Sequence, residues 1–371
     1  MPSPAPLVLV TGANGYIGAR TVAAFLAAGW RVRGTVRSLS SPSAQSLSAH
    51  LASSIAAGDL ELTNVPDITA PAAFDAAVRG VRSIAHLATP VVLNAAAGAE
   101  TDVEYIMGTA VQGTLSILES AVREGESPAS AEGRGEEDGG TGIRSFVLMS
   151  SIAAIRSFAH GGVFTEADWN TEAEEAVREL GPAAPVVTVY TASKVAAERA
   201  FWDFVERRDP GFSATALHPV WTAGPPLFPP PTSSQIPATT RFIHSLLSGC
   251  APPPGPAGYG YHVDVRDVAR VIFWAATHAE TAHGQRYILG GGEGCYGTPA
   301  TAAAVLRGAY PERRGTIWLE GGCVEKSEWG RVPPEEETRI VGDKAVRATG
   351  QGWIGYEAMV LDAARVFEVL L

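Results

Sequence analysis

Cysteine is scarce in this 371-residue chain: Cys250, Cys295 and Cys323 are odd in number and far apart. No Cys-x-x-Cys pair or His/Cys cluster has zinc-ligand spacing, so neither a structural metal nor a disulfide framework is expected, and a reducing compartment is. Long apolar runs are missing too. "MPSPAPLVLVTGANG" has no basic segment and only four consecutive apolar residues before a glycine-rich turn. That excludes a signal peptide or anchor of the usual kind, and a cytoplasmic, soluble protein with no membrane partner is expected. Excess positive charge is also lacking. The formal net charge is −11 with a pI near 5.3, which argues against a nucleic-acid backbone as partner. Glycine (40) and proline (26) are plentiful but follow no repeat period, which excludes collagen.

What is present is an alternation of short apolar runs with helix-period stretches. "LVLVT" (7–11), "RVRGTVR" (31–37), "LELTNV" (60–65), "RSIAHLA" (82–88), "SFVLMSS" (145–151) and "FSATALHP" (212–219) read as strands. Helices are expected over 16–28, 103–123 and 190–207, with a short one over "FDAAVRG" closed by Gly80. Repeated β-α-β units predict an α/β fold, a parallel sheet covered by helices on both faces. Two segments break the rhythm. The Gly-, Glu- and Ser-rich stretch 124–142 reads as a disordered surface insertion. The proline-rich stretch 223–237 follows a strand end and reads as an irregular loop facing a substrate. From about Gly290 the periodicity weakens, as in a smaller C-terminal lobe.

"VTGANGYIG" places Gly12, Gly15 and Gly18 at Gly-x-x-Gly-x-x-Gly spacing, directly after a strand and at the opening of a helix. In that context the first glycine allows the turn, the second lets backbone N–H groups approach a pyrophosphate, and the third lets the helix pack on the strand. The second strand ends "GTVRSLSS", without the acidic residue that would bond an NAD ribose hydroxyl. Arg37 stands there instead, suited to a 2′-phosphate, so NADP (NADPH) is the expected cofactor. Arg33 would share that role only if its side chain points the same way.

"VYTASKVAAER" sets Lys194 one helical turn after Tyr190, on the same face. A free tyrosine titrates near ~10 and is a poor proton shuttle at neutral pH, unless a neighbouring cation favours the phenolate. Ser150 and Ser151 end the fifth strand at the carboxyl edge, where a hydroxyl can hold a carbonyl oxygen.

These motifs, with "GTAVQGTLSILESA", "FTEADWN", "HPVWTAGP", "YHVDVRDVA" and "GQRYIL", make the chain resemble the extended short-chain dehydrogenases/reductases of the NAD-dependent epimerase/dehydratase superfamily. Within them it is similar to the dihydroflavonol reductase-like and fungal methylglyoxal and aldehyde reductase-like branch. The resemblance runs from Leu7 to about Leu289 and more faintly beyond. It implies a Rossmann-type doubly wound sheet with a smaller C-terminal substrate lobe. Residues 1–217 are mainly the NADP-binding domain, with 156–185 as a substrate-side loop. Residues 218–371 are mainly the substrate lobe, with 261–289 returning to the Rossmann core.

The resemblance further implies a catalytic set of Ser151, Tyr190 and Lys194, with Ser151 preferred to Ser150. Tyr190 and Lys194 also meet the cofactor, as do Gly12, Asn14, Gly15, Tyr16, Ile17, Gly18, Arg37, Asp67 and Ile68. Leu87, Ala88, Thr89, Pro219 and Thr222 complete that set, and no metal is expected. His86 and His218 read as packed or backbone-positioning, Asp264 and Asp267 as helix caps, Trp169 and Asn170 as structural. One departure is that no lysine follows Arg37 in "SLSSPSAQS".

The implied activity is NADP(H)-dependent reduction of an aldehyde or ketone to an alcohol, by hydride transfer with Tyr190 as proton donor, in a monomer or homodimer acting on a small carbonyl compound. The alternatives are a 3β-hydroxysteroid dehydrogenase-like enzyme or a nucleotide-sugar epimerase/dehydratase and, from another class, a non-catalytic NADP(H)-sensing regulator.

Overall fold

The computed structural model describes residues 5–89, 101–126, 142–157, 159–253, 260–318 and 337–371. The acidic insertion expected over 124–142 therefore lies almost wholly outside the described residues, as does Cys323. The chain divides into two compact units. One comprises Met1–Ser157, Asp168–His218 and Ile272–Arg286; the other comprises Phe158–Ala167, Pro219–Val271 and Tyr287–Leu371.

The strands are β1 (Leu7–Thr11), β2 (Arg31–Val36), β3 (Leu60–Asn64), β4 (Ser83–His86), β5 (Ser145–Met149), β6 (Gly162–Phe164), β7 (Ser213–Pro219), β8 (Trp221–Ala223), β9 (His262–Asp264), β10 (Gln285–Leu289) and β11 (Thr338–Ile340). Seven form one sheet in the order β10-β7-β5-β4-β1-β2-β3, with the pairings from β7 through β3 all parallel. From β1 the chain moves outward to β2 and β3, then crosses back to β4 on the other side of β1. That reversal creates the crevice at the strand carboxyl ends where such sheets bind ligands. β1, β4 and β5 are buried along their whole length, as expected of central strands covered on both faces.

The helices of the first unit are α1 (Tyr16–Ala27), α2 (Pro42–His50), α3 (Ala52–Ala57), α4 (Val103–Gly125), α5 (Thr171–Leu180) and α6 (Val186–Arg208). Leu9, Ile84 and Phe146 from the sheet pack with Ile117 and Leu118 of α4 and Phe201 of α6. Phe146 lies 5.8 Å from Phe212 and 5.5 Å from Phe201 between ring centroids.

Three local expectations are corrected. Residues 71–80 form turns rather than a helix: Ala72 has a left-handed φ of 59°, and bonds such as Ala73 N to Ala70 O and Asp75 N to Ala72 O span only three residues. Helices α2 and α3 were not anticipated, although the Ser41 hydroxyl accepts from Ala44 N and Pro42 occupies the first helical turn. The segment 156–185 is not all loop, because Asn170 caps α5 by accepting from Ala173 N.

In the second unit β6 pairs with β11 and β8 with β9, both in parallel. Helices α7 (Arg241–Leu247), α8 (Val265–Thr277), α9 (Ala279–Ala282), α10 (Pro299–Ala309), α11 (Asp343–Thr349) and α12 (Tyr356–Phe367) follow, the later part of α8 and all of α9 belonging to the first unit. Phe242, Leu246, Leu306, Tyr356, Val360 and Phe367 make this unit's core. The proline-rich stretch after β8 holds only bends and one short turn over Ser233–Gln235, since proline supplies no backbone donor. Among the described residues, no helix is long and apolar enough to cross a membrane.

Candidate active site

The glycine-rich turn leaves β1 at Thr11 and enters α1 at Tyr16. Gly12 takes a φ of +65°, and Gly15 N donates to Gly12 O at 2.9 Å. A Cβ on Gly18 would stand 3.0 Å from the Gly12 carbonyl carbon and closer still to its oxygen, so α1 can lie this near the turn only with glycine there. The first turn of α1 carries no acidic residue, and Gly15 offers no side-chain cap, as suits an approaching phosphate.

Thr11 joins this turn to the segment after β4. Its hydroxyl accepts from Leu87 N and Ala88 N, both at 2.9 Å, and meets His86 Nδ1 at 3.0 Å. With two N–H donors on the oxygen, the hydroxyl proton goes to Nδ1, which requires a neutral imidazole. Burial, aided by the Lys194 charge, pushes His86 down to about 3, so it stays neutral. His86 is thus packed and bonded, and Thr11 is a site-building residue that sequence reasoning passed over.

Around the end of β2, Asn14 Nδ2 donates to Ser43 Oγ at 2.7 Å, tying the glycine turn to α2. Arg37 is exposed just past the strand, and its charge helps hold Asp67 below the usual carboxylate range, after the Thr69 hydrogen bonds and against burial. Arg33 is excluded from any shared role with Arg37. Glu61 stands opposite it on β3 and takes its Nε, while Nη1 donates to the carbonyls of Ala77 and Arg79 at 2.8 and 2.7 Å. Asp67 accepts from Thr69 N at 2.8 Å and Oγ1 at 2.6 Å. Ile68 packs on α4, where a Cβ added to Gly113 would meet its Cδ1 at 2.6 Å.

Tyr190 lies in the second turn of α6, which begins a turn earlier than expected, after Pro185. Its phenol faces the Ser151 side chain, and burial pushes its pKa above 10.0 against the lowering effect of that serine. The Ser151 hydroxyl also accepts from Ala153 N at 3.2 Å, which holds it at the end of β5. Lys194 is buried. Its ammonium donates to Thr89 Oγ1 at 3.2 Å and Met149 O at 3.4 Å, and sits 6.0 Å from the Tyr190 ring centroid. Burial lowers Lys194 to about 8, with Glu198 opposing the fall. Ser150, the other serine of the pair, is occupied: its hydroxyl donates to Glu198 Oε2 at 2.5 Å.

The first unit therefore brings together Gly12, Gly15, Gly18, Leu87, Ala88, Thr89, Ser151, Tyr190 and Lys194 around the ends of β1, β4 and β5. Asn14, Tyr16, Ile17, Arg37, Asp67 and Ile68 belong to the same unit. Pro219 and Thr222 belong to the second unit, at the end of β7 and on β8, where Thr222 Oγ1 donates to Val220 O at 3.4 Å.

Other expectations shift in detail. Asp264 does cap α8, accepting from Arg266 N at 2.8 Å, whereas Asp267 accepts from Ile354 N at 2.7 Å and pairs with Arg270. His218 does more than position backbone: its Nε2 lies 2.6 Å from Glu198 Oε2. Among the described residues, no group of three or more His, Cys, Asp or Glu could hold a metal ion.

A model of the NAD dependent epimerase/dehydratase family matches residues 8–290. The chain belongs to this family. It is 32% identical over 269 residues to the ketoreductase adrE of Penicillium roqueforti, covering 72% of this chain and 71% of that one. Its structure resembles yeast methylglyoxal/isovaleraldehyde reductase Gre2 complexed with NADPH, with a TM-score of 0.76, 25% identity and 97% of each chain covered. It also resembles Gre2 of Candida albicans in complex with NADPH, with a TM-score of 0.74, 26% identity and 98% of each chain covered. These relatives agree with the expected fold and branch, and with an NADP-dependent oxidoreductase acting on carbonyl and CH–OH groups.

Proposed function

We propose that the protein is an NADP(H)-dependent carbonyl reductase that converts an aldehyde or ketone to an alcohol, with Tyr190 as proton donor. The observation that carries this reading is the convergence of the Tyr190 phenol on the Ser151 side chain, with the Lys194 ammonium 6.0 Å from the Tyr190 ring.

The residues present fit the cofactor. Gly12 and Gly18 leave a turn that Cβ atoms would fill, the opening of α1 suits a pyrophosphate, and Arg37 suits a 2′-phosphate. Thr89 and Lys194 would meet the nicotinamide ribose, and Asp67 and Ile68 the adenine side. Bound there, NADPH supplies the hydride.

The chain's own residues manage the proton and the oxygen. Ser151 donates a hydrogen bond to the substrate oxygen and polarises the carbonyl. Tyr190 then gives its phenolic proton to that oxygen as negative charge develops on it. The resulting phenolate is stabilised by Lys194, which needs its positive charge for this purpose. Residues 1–217 serve mainly the nucleotide and 218–371 mainly the substrate, with 261–289 returning to the Rossmann core, and the enzyme works in the cytosol.

The test is a panel of aldehydes and ketones assayed in parallel with NADPH and NADH. Net NADPH oxidation that depends on a carbonyl compound, and is faster than with NADH, is expected. NADPH binding without oxidation by any carbonyl would overturn the reading in favour of a sensor. Sugar-nucleotide conversion without net NADPH use would favour an epimerase.

A further inference from the structure

Glu198 lies one turn beyond Lys194 on α6, so Tyr190, Lys194 and Glu198 share one stripe of the helix. Its side chain is fully buried, and both carboxylate oxygens are engaged. Oε2 meets His218 Nε2 at 2.6 Å and accepts from Ser150 Oγ at 2.5 Å; Oε1 accepts from Arg286 Nε at 2.7 Å and Trp202 Nε1 at 3.3 Å. Arg286 in turn donates to Asp168 O at 2.7 Å, and its guanidinium lies 4.0 Å from the centre of the Trp169 ring. Groups at β5, β7 and β10 thus converge on a single carboxylate projecting from the helix that carries the proton-transfer residues.

We propose that Glu198 is a positioning residue for the proton-transfer set: its carboxylate, anchored by Ser150, His218 and Arg286, fixes the Tyr190–Lys194 face of α6 against the sheet and keeps Lys194 cationic. A purely structural reading explains this arrangement less well. A buried ion pair stabilises a fold little compared with apolar residues of similar volume, because desolvation offsets the attraction. A negative charge one turn from a buried ammonium has an electrostatic consequence whatever it does for stability.

Among the described residues, Tyr190 and Glu198 face Lys194 from its own helix, Thr89 and neutral His86 from the β4 side, and the Met149 carbonyl from the end of β5. Glu198 is the anion among them. The groups facing Glu198 hold it low, at about 2: His218 and Arg286 overcome the effect of burial, so it is ionised throughout the working pH range.

The chain has three lysines, Lys194, Lys326 and Lys344, so 13Cε-lysine NMR can follow each ammonium directly, with Lys194→Arg assigning the signal. In the cofactor-free protein, Lys194 should titrate near 8. Glu198→Gln should move that midpoint down by about one pH unit or more, because the opposite charge favouring the ammonium is gone. If the loss of the carboxylate beside Arg286 keeps the variant from folding, Glu198→Gln with Arg286→Met removes both charges together and should show the same fall. Arg286→Met alone leaves the carboxylate ionised beside His218. It should lower stability while leaving the Lys194 midpoint in place.

The alkaline limb of kcat should follow the NMR midpoint in each variant. A folded charge-free variant whose Lys194 midpoint stays near 8 overturns the proposal, as does a midpoint that follows loss of stability instead of loss of the carboxylate. The inference rests on the reductase reading for what the lysine charge accomplishes. The NMR titration needs neither cofactor nor turnover, so the failure of either idea is seen separately.

Discussion

Replacing Gly18 by alanine is the most direct test of the proposed nucleotide turn, because one added carbon has a known destination. Gly18 is buried in α1 at ordinary helical dihedrals, so backbone strain does not enter. Propensity alone would make the change favourable by about 1 kcal/mol. Against this, the new Cβ would stand 3.0 Å from the Gly12 carbonyl carbon and 3.1 Å from the Ala13 carbonyl carbon, with the Gly12 oxygen closer still. Carbon atoms pack comfortably at roughly 3.5–4.0 Å, so α1 must withdraw by about 1 Å from a backbone that cannot rotate out of the way. Overpacking of this kind costs roughly 1–3 kcal/mol, and a clash with main chain belongs at the upper end. The net loss should be about 1–2 kcal/mol, a fall in Tm of roughly 2–8 °C. Since the displaced atoms form the turn proposed to hold the pyrophosphate, the Kd for NADPH should rise by about tenfold or more, an affinity loss of about 1.4 kcal/mol. Gly108→Ala is the matched control: it is exposed in α4, nothing lies within 4 Å of the added carbon, and it should stabilise by about 0.5–1 kcal/mol. Differential scanning fluorimetry and NADPH fluorescence titration measure both quantities. A Gly18→Ala protein that melts no lower than the parent and binds NADPH equally well would refute the packing argument.

Tyr190→Phe removes the phenolic proton while keeping the ring; carbonyl reduction should fall by about 10²–10⁴-fold with the Kd for NADPH nearly unchanged, and retained turnover would remove Tyr190 as donor. Arg37→Ala should raise the KM for NADPH by about tenfold and leave that for NADH almost unaltered, as steady-state kinetics with both nucleotides would show. Equal effects on the two would disconnect Arg37 from the 2′-phosphate. For Lys194, the folded-state value near 8 lies below the unfolded 10.5, so folding disfavours its proton. The cost of burying the ammonium is fully present below pH 8 and fades as pH rises toward 10.5. The stability deficit of the parent relative to Lys194→Met, read from urea midpoints, should therefore shrink across that window by up to about 3 kcal/mol.

The sheet was readable because central parallel strands, buried on both faces, must be continuously apolar, as "LVLVT" and "SFVLM" are. The glycine turn was readable because each glycine answers a steric demand: Gly12 for its φ, and Gly18 for the approach of α1. Failures fell where tertiary contacts outrank local pattern. "FDAAVRG" has helical spacing, yet Phe74 and Val78 are buried within a turn-rich segment that Ala72 enters with left-handed backbone. For α2 the signal is confined to its start, Ser41 followed by Pro42, because only Ala44 and Leu47 of the helix are buried and they set no apolar period.

For the site, what sequence spacing conveys depends on whether the partners lie on one element. Tyr190 and Lys194 could be paired by eye because a helix brings residues four apart together. Thr11 could not be read as the hub of the turn, since His86 reaches it only through the pairing of β1 with β4. Glu198 stands between these cases. Its place on the Tyr190–Lys194 stripe, which faces the sheet, already implies a buried carboxylate, and a buried carboxylate requires donors. Which donors was beyond reach: His218 is 20 residues away and Arg286 is 88, brought together where β7 and β10 stand side by side. The presence of a charge partner thus follows from helical geometry, while its identity follows from strand order. That is why a four-residue spacing pairs Tyr190 with Lys194, and the sheet determines what holds that pair in place.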